Sequence, residues 1–588
     1  MGIIASGNTL LLVSRLLDRK KSVEPIIRTK AQKPPFGEKI PIEQPFLRGT
    51  PESVGIDSAY IADFLSELRH ASALDLHNII IAKDKKIICE ASFGGYDREV
   101  WHVTHSECKS VTSLAVGMLI DEGKLSLDDK IVKIFEDEIP RLALVTHRHI
   151  SVRHLLTMTS GVSFNETGAV TEEDWVRKYF ESGLRSEPGK RFHYNSMNSY
   201  ILSAIVKKVS GVGLCEYLEP RLFAPLGIKK YHWGRCPRGI EKGGWGLYIL
   251  PEDILKIAEL VLDGGVWNGR RLISKEYLDE ATSLKVATPD AACMYGYGYH
   301  IWAGEGKSAG SFLFNGMFGQ NVIGFKNKGI LLLENAGNDE IFQQSSFFVI
   351  ANKYFGADTG FPAKLKENGQ SIRKLQKLER GLIGCARYSD LGFFAKRRAE
   401  KRLAQKTGEL CGKRFVPLEE EAASVGLLPL VTQAVQNNYT KGLKSLVFDR
   451  ADGKFRLTVN ESDESYVLPV GFFAPEYTDL VFHGEPYLVA VQGEFCENED
   501  AVPVLKIRIS FLEEASARTI KIFFFGDRTV AKFSENPGRG FIDVTLGALK
   551  TGAKGNPIAE LIMSHADPEP VIGKLNALIE PTLTLVQK

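Results

Sequence analysis

Hydrophobic positions recur at helical spacing directly behind a serine and a lysine that stand three residues apart. In the stretch WHVTHSECKSVTSLAVGMLIDEGKLSLDD, which begins at Trp101, Ser106 and Lys109 share one face of a predicted helix. The helix ends at the stop signal Glu122-Gly123. Its buried side is marked by four apolar residues at helical spacing, Val111, Leu114, Ala115 and Met118. The pattern predicts a buried helix that holds Ser106 and Lys109 at its head.

Other apolar patterns predict the elements around this helix. Two runs rich in β-branched residues, His77 to Ala82 and Ile87 to Ser92, predict a hairpin, and the stretch from Tyr295 to Asn335 is rich in predicted strands. Trp267 to Leu272 is predicted as a turn followed by a strand. Helical spacing predicts four further helices: Ser58 to Leu68, Tyr200 to Val209, Pro251 to Asp263 and Ile341 to Phe355.

The pattern changes after Gly356. Residues 361–407 are dense in Lys and Arg, and AKRRAEKRLAQK has the spacing of a solvated helix. From Leu443 to Val544 apolar and polar residues alternate, which predicts an antiparallel β domain, a barrel or a sandwich. Two short helices are predicted around Ile558 to His565 and Val571 to Ile579. The predicted organisation has four parts: an irregular N-terminal arm (1–45), a first domain (46–357), a charged helical linker (358–407) and a β-rich domain (408–588).

The composition is that of an ordinary globular protein. The chain has 588 residues, of which 44% are hydrophobic and 25% charged, and a net charge of +2, so nothing predicts a nucleic-acid partner. No apolar run is long enough to predict a membrane span. Its eight cysteines include no Cys-x-x-Cys pair, which argues against a zinc site and a disulfide framework. Without a convincing signal peptide, we expect a cytoplasmic protein.

Ser106 and Lys109 have the spacing of a nucleophile and its base. A serine hydroxyl attacks only after a base removes its proton, and a lysine one turn away can do this where burial keeps it neutral. The helix N-terminus adds a positive field where an oxyanion would form. The alternative is structural, with Ser106 as a helix cap and Lys109 solvated. The same spacing recurs at Ser371 and Lys374, within a charged stretch, so the spacing alone does not decide.

Further motifs follow in a fixed order. A turn at Pro188-Gly189 leads to Tyr194, Asn195 and Ser196 and into an apolar helix. The segments SECKSVTSLAVGMLIDEGKLSLDD, RHLLTMTSGV, PGKRFHYNSMNSYILSAIVKKVSG, LFAPLGIKKYHW and FLFNGMFGQNVIG together resemble the serine β-lactamase and penicillin-binding superfamily. Within it, the chain resembles the class C-like branch, which also contains esterases, D-amino-acid peptidases and nylon-oligomer amidases. The resemblance covers about Phe46 to Phe355.

The resemblance implies an α/β (α+β) fold, in which helices flank an antiparallel sheet beside a helical lobe, and a serine hydrolase without metal or cofactor. Ser106 would form the acyl-enzyme while Lys109 and Tyr194 relay its proton. The backbone N–H groups of Ser106 and Met317 would hold the oxyanion. Four further residues would bind substrate: Ser196, Phe314, Asn315 and Gly316.

Two motifs depart from the family pattern. The second is Tyr194-Asn195-Ser196, where many relatives have Tyr-x-Asn, and the third is Phe314-Asn315-Gly316, where drug-cleaving relatives have Lys-Thr-Gly or His-x-Gly. With no cation in the third motif, we expect a small ester, amide or short peptide as substrate rather than an antibiotic. An acyl-transferase, a non-catalytic binding protein with this fold and a homo-oligomer stay open.

Overall fold

The structure is a computed structural model. It describes residues 15, 23–27, 31–288, 294–340, 345–382, 391–418, 425–462, 464–526, 528–540, 542, 573 and 576–588. The predicted helix around Ile558 to His565 lies outside these residues. So do residues 571, 572, 574 and 575 of the helix predicted from Val571 to Ile579, and residues 341–344 of the helix predicted from Ile341 to Phe355.

The chain divides into two compact units. The first contains residues 38–91 and 98–378, and the second contains residues 92–97, the described residues of 6–37 and those of 379–588. Residues 31–45 of the predicted N-terminal arm contain no helix or strand. The domain limits at 45, 357 and 407 stay predictions.

The first unit is built on an eight-stranded sheet in the order β1-β3-β2-β13-β12-β11-β10-β9. Only β1 and β3 run parallel, and every other neighbouring pair is antiparallel. The strands of this unit are β1 Leu47–Arg48, β2 Leu76–Lys83, β3 Lys86–Ser92, β4 His102–Val103, β5 Tyr231–Trp233, β6 Leu247–Ile249, β7 Val266–Trp267, β8 Arg270–Arg271, β9 Tyr295–Tyr297, β10 Trp302–Gly304, β11 Ser311–Gly316, β12 Gln320–Phe325 and β13 Ile330–Ala336.

Helices pack against this sheet and beside it. They are α1 Ser58–His70, α2 Cys108–Asp121, α3 Ile131–Ile134, α4 Ala143–Thr146, α5 Val152–Leu156, α6 Glu166–Ala169, α7 Trp175–Glu181, α8 Ser196–Ser210, α9 Leu214–Leu218, α10 Pro251–Leu262, α11 Lys275–Ala281 and α12 Ser346–Phe355. Helix α10 packs on β2, β12 and β13, and α2 packs on α8. The fold predicted from the resemblance, an antiparallel sheet flanked by helices with a helical lobe, is confirmed.

The helices and the hairpin that the sequence predicts in this unit are confirmed, with ends that differ by at most four residues, except that the helix predicted from Ile341 begins at Ser346. Strands β2 and β3 are the predicted hairpin, and helix α1 begins at the predicted Ser58, where Asp57 accepts a hydrogen bond from Ala59 N. The predicted helix behind Ser106 is α2. Its residues Val111, Leu114 and Ala115 have no exposed surface, so the apolar spacing identified the buried face correctly.

The second unit contains a ten-stranded antiparallel sheet in the order β17-β16-β15-β14-β23-β22-β21-β20-β19-β18. Its edge strands β17 and β18 contact each other, so the sheet is nearly closed and barrel-like, one of the two predicted forms. Its strands are β14 Arg414–Pro417, β15 Leu443–Ala451, β16 Lys454–Glu461, β17 Ser465–Pro469, β18 Glu476–Phe482, β19 Glu485–Glu497, β20 Pro503–Phe511, β21 Ala517–Phe525, β22 Arg528–Asn536 and β23 Thr582–Gln587.

Among the described residues after α12, three further helices are α13 Gly369–Leu382, α14 Phe393–Leu410 and α15 Leu430–Gln436. Helix α14 contains the predicted basic helix, which is confirmed. Within the described residues, none of the helices is both long and apolar enough to cross a lipid bilayer.

Candidate active site

Ser106 lies in a single 3-10 turn, His105–Glu107, directly before helix α2. It is half-buried, whereas every other residue from Trp101 to Ser110 is buried. His105 has a φ of 44°, a left-handed conformation that non-glycine residues seldom adopt. The turn therefore presents the serine hydroxyl at the surface while its neighbours point into the protein.

Lys109 lies one turn further along the same helix, and only 1% of its surface is exposed. Its Nζ is 2.7 Å from Ser106 Oγ and donates a second hydrogen bond of 2.7 Å to the carbonyl of Gly244. Within the described residues, Lys109 makes no ion pair with a carboxylate. The structure thus brings together the two residues that the spacing linked, with an amine directly beside the hydroxyl.

The loop that receives Lys109 is made of two glycines that the sequence analysis did not single out. A Cβ atom at Gly243 would lie 2.7 Å from Ser199 O, and one at Gly244 would lie 2.9 Å from Ser196 O. Only glycine lets this loop approach the backbone of α8 so closely. The Gly243 carbonyl also accepts a 2.6 Å hydrogen bond from Thr112 Oγ1. The glycine cluster in EKGGWG was the available signal.

Tyr194 lies on the other side of Lys109. The lysine Nζ is 4.9 Å from the centre of the tyrosine ring, which stacks on Trp302 at 6.1 Å with an interplanar angle of 19°. Phe192 and Tyr297 extend this aromatic group, with their ring centres 5.2 Å apart. Tyr194 is half-buried, so the structure brings it to the site with its ring supported by aromatic neighbours that the sequence analysis missed.

The other two residues of the second motif have structural contacts. The Asn195 side chain caps α8 by accepting from Met197 N at 2.9 Å, and it donates to Val162 O and Phe164 O. Ser196 is buried, and its N–H donates to Glu166 Oε1 at 3.2 Å. These contacts fix the loop that carries Tyr194.

The end of strand β11 lies against the serine turn. A Cβ at Gly316 would be 2.3 Å from Thr104 O and 3.1 Å from Glu107 N, so glycine is needed for this approach. Met317, the next residue, is half-buried like Ser106. This proximity supports the predicted role of the Met317 N–H beside the serine.

Phe314 and Asn315 point away from solvent. Phe314 has no exposed surface and belongs to the hydrophobic core that also contains Val111 and Leu114. A side chain in this position has no surface to offer a substrate, so we do not include Phe314 among the substrate contacts proposed below. Asn315 is buried and donates a 2.7 Å hydrogen bond to Asn321 Oδ1.

Asn315 is one end of a buried polar network behind the site. Asn321 Nδ2 donates to Glu334 Oε2 at 2.7 Å, and Asn338 Nδ2 donates to Glu334 Oε1 at 2.9 Å. The Asn338 N–H donates to the carbonyl of Phe318, in the turn that follows Met317. Burial raises the pKa of Glu334 to about 8, although both amide hydrogen bonds lower it. The network therefore holds the β11–β12 turn around a neutral carboxyl group.

The buried titratable groups next to the serine and lysine are also uncharged at neutral pH. Burial, helped by the charge of Lys109, lowers the pKa of His105 and of His300 to about 3. Burial raises the pKa of Glu107 well above its ordinary range. Because burial disfavours charge on all three groups, backbone dipoles supply the field around Ser106.

Comparisons with known proteins show which proteins this chain is similar to. The sequence profile of the family described as Beta-lactamase matches residues 63–354. The 6-aminohexanoate-dimer hydrolase of Paenarthrobacter ureafaciens is 24% identical over 269 residues, 41% of this chain and 68% of that protein. Esterase EstB of Burkholderia gladioli is 22% identical over 335 residues, 44% of this chain and 84% of the esterase. The solved structure of EstCE1, a hydrolase with promiscuous acyltransferase activity, aligns with a TM-score of 0.43 at 15% identity, covering 51% of this chain and 99% of that one.

The close approach at Gly316 generates a first prediction. Gly316→Ala pushes the end of β11 away from the serine turn, and because a shift of about 1 Å can cost about 100-fold in rate, we expect kcat to fall by that order. The measurement is hydrolysis of p-nitrophenyl butyrate, with the melting temperature recorded alongside. Gly183→Ala is the matched control, since nothing lies within 4 Å of a Cβ there. A Gly316→Ala protein with the kcat of the wild type would contradict the arrangement.

The raised pKa of Glu334 generates a second prediction. An acid whose pKa rises on folding stabilises the protein fully below its ordinary value of 4.5, and this contribution is lost as the pH rises through about 8. Glu334→Gln removes this titration. The melting temperature of the variant minus that of the wild type should therefore increase from about pH 5 to about pH 8. For the control Glu276→Gln, at an exposed position of α11, the difference in melting temperature from the wild type should stay constant over the same pH range. Parallel curves for Glu334→Gln and wild type would mean that Glu334 is ionised when folded.

Proposed function

We propose that this chain, which belongs to the β-lactamase family through residues 63–354, is a serine hydrolase that cleaves an ester or amide bond through an acyl-enzyme on Ser106. The 2.7 Å contact between Nζ of the buried Lys109 and Oγ of the half-buried Ser106 carries this proposal. The two curated relatives reported above, a dimer hydrolase and an esterase by name, support hydrolysis of ester or amide bonds.

Acylation begins with the proton of Ser106. Lys109 Nζ accepts it as Oγ attacks the substrate carbonyl, and the Gly244 carbonyl stabilises the ammonium that results by accepting one of its hydrogen bonds. Tyr194, whose ring centre is 4.9 Å from the same Nζ, would pass the proton to the leaving group. Burial lowers the pKa of His105 and of His300 to about 3, which makes both histidines weak bases, and it disfavours the carboxylate form of Glu107, so Lys109 is the base in this group.

The oxyanion is held by the backbone N–H groups of Ser106 and Met317. Two preorganised N–H donors in a buried site are worth about 2.7–4 kcal/mol each to the transition state, on the scale known for other serine hydrolases. The glycine contact between β11 and the serine turn sets the separation of these donors. Water then attacks the acyl-enzyme with Tyr194 and Lys109 as its base. If an alcohol or amine takes the place of water, the same site performs acyl transfer.

The substrate is a small neutral ester or amide, or a short peptide. Tyr194, Trp302 and Phe192 form an aromatic group beside the nucleophile, and the third motif supplies no cation that could pair with a substrate carboxylate. We call these three aromatic side chains the apolar wall, and an apolar wall favours apolar acyl groups.

We propose a reducing compartment such as the cytoplasm for this reaction. The structure describes six of the eight cysteines, and all six are free thiols. Burial raises the pKa of Cys108, two residues from the nucleophile, to about 12, so this thiol is inert. Self-association of the chain is compatible with this function, and light scattering of the purified protein measures it.

The mechanism predicts that Ser106→Ala lowers the rate of ester hydrolysis by several orders of magnitude. The protein should stay folded, because the half-buried hydroxyl fills no space in the core. Lys109→Met and Tyr194→Phe should lose comparable activity, and the losses should not add, because the three residues act together. A fluorescent fluorophosphonate should label the peptide that contains Ser106. Ser371→Ala, at the second Ser-x-x-Lys spacing, is the control and should keep full activity. Wild-type turnover by Ser106→Ala would exclude the mechanism.

The apolar wall predicts the substrate preference. A charge-assisted hydrogen bond to a substrate carboxylate contributes about 1.5–3 kcal/mol, and the third motif here cannot supply it. We therefore expect a higher kcat/KM for p-nitrophenyl butyrate than for nitrocefin. Trp302→Ala should lower the value for the ester. A preference for nitrocefin would show that another cation binds the carboxylate, and Arg185→Ala would then test the guanidinium near His193.

A further inference from the structure

The first turns of helix α14 carry an unusual combination of exposed side chains. Phe393 and Phe394 are 73% and 81% exposed, and Leu391, just before the helix, is 38% exposed. The next residues, 395–402, contain five basic side chains and one acidic one, Glu400, a net charge of +4. Single exposed apolar residues are common, but three of them beside a basic cluster form a patch that needs an explanation. We call Leu391, Phe393, Phe394 and the basic residues 396–402 the wedge.

The helix is anchored at its other end. Leu410 is buried in the core of the ten-stranded sheet, Thr407 is buried and accepts a 2.9 Å hydrogen bond from Arg450, and Leu403 is half-buried. These three residues follow the spacing i, i+4 and i+7, so they mark the inner face of the helix. The helix is therefore held to its own unit by its last two turns.

The outer face carries the charge. Phe394, Arg397, Arg398 and Lys401 follow the spacing i, i+3, i+4 and i+7, and all four are exposed. Within the part of the chain that the structure describes, Arg397, Arg398 and Lys401 form no ion pair. Their charges are therefore not used by ion pairs of the fold, and they lie on the same helix face as Phe394.

We propose that the wedge docks this chain onto the surface of an anionic lipid bilayer. Helices that lie in a membrane interface combine Phe and Leu with Lys and Arg, and clusters of four to eight basic residues attract anionic headgroups. The exposed rings enter the boundary between headgroups and acyl chains, and Arg397, Arg398 and Lys401 reach the phosphates around them. The wedge lies outside the catalytic residues, so docking places the hydrolase at a lipid surface without changing its chemistry.

Lipid fits the wedge better than nucleic acid does. The two phenylalanine rings pack edge to face, with centres 5.6 Å apart and an angle of 79°, so they form one apolar knob. Bases stack on open ring faces along an extended basic groove. The charge here is confined to about two turns of one helix, and the whole chain carries only +2.

The test is co-flotation of the full chain with vesicles of phosphatidylcholine mixed with phosphatidylserine, compared with vesicles of phosphatidylcholine alone. We expect binding to the anionic vesicles only, weakening as salt is added. Each basic residue near an anionic surface changes binding about five-fold, so Arg397→Gln with Arg398→Gln should weaken it on the order of 30-fold. Phe393→Ser with Phe394→Ser should weaken it about ten-fold or more, because the rings no longer insert.

Matched controls lie on the strands of the same unit. Lys444→Gln with Lys521→Gln removes two exposed charges from the sheet, and Phe525→Ser removes a ring that is 48% exposed, and both should bind like the wild type. All these variants change exposed side chains, so melting temperature and esterase activity in solution should stay unchanged. Equal binding to both vesicle types, binding that survives both wedge variants, or no binding at all would overturn the proposal. Capture of a labelled single-stranded oligonucleotide in place of vesicles would assign the wedge to nucleic acid.

Discussion

The buried amine of Lys109 is the constraint on which the catalytic unit depends. A polar nitrogen with 1% exposure needs hydrogen-bond partners, because water cannot supply them. One partner is the hydroxyl of Ser106, three residues earlier in the chain. The other is the carbonyl of Gly244, which belongs to a distant loop. To bring that carbonyl within reach, the loop must touch the backbone of α8, which only the glycine pair permits. The hydrogen bonds that the buried amine needs for stability therefore also hold it next to the hydroxyl of Ser106.

The surroundings of this amine are polar but uncharged. A carboxylate beside Lys109 would favour its ammonium form and weaken it as a base. The nearby groups instead lose their charge by burial, His105 and His300 by deprotonation and Glu107 by protonation. Backbone carbonyls and N–H groups then provide the field, and these dipoles do not need to reorganise during the reaction. Burial is therefore the common cause of the site's electrostatics.

Local patterns in the sequence predicted the helices and strands and the pair Ser106 and Lys109. They could not predict contacts between segments that are distant in the chain. Helix α2 follows from apolar spacing, and Ser106 and Lys109 are neighbours because three residues make almost one helical turn. Trp302, His300 and Gly244 join the site through the order of strands and the packing of loops, which periodicity does not encode. For the same reason Phe314 was expected at the cleft. Strand alternation allowed either face, and packing against α2 selected the core.

The two residues next to the nucleophile, His105 and Glu107, lower the stability of the folded protein. Neither carboxyl oxygen of Glu107 has a hydrogen-bond partner among the described residues, and the group is fully buried. An unsatisfied buried group costs about 1–3 kcal/mol, and the left-handed backbone of His105 adds about 1–3 kcal/mol. Two unfavourable features flank Ser106 within one turn, while the helix behind it is buried from Cys108 to Leu119. The turn that presents the serine is therefore held in place by the core beneath α2 rather than by its own interactions.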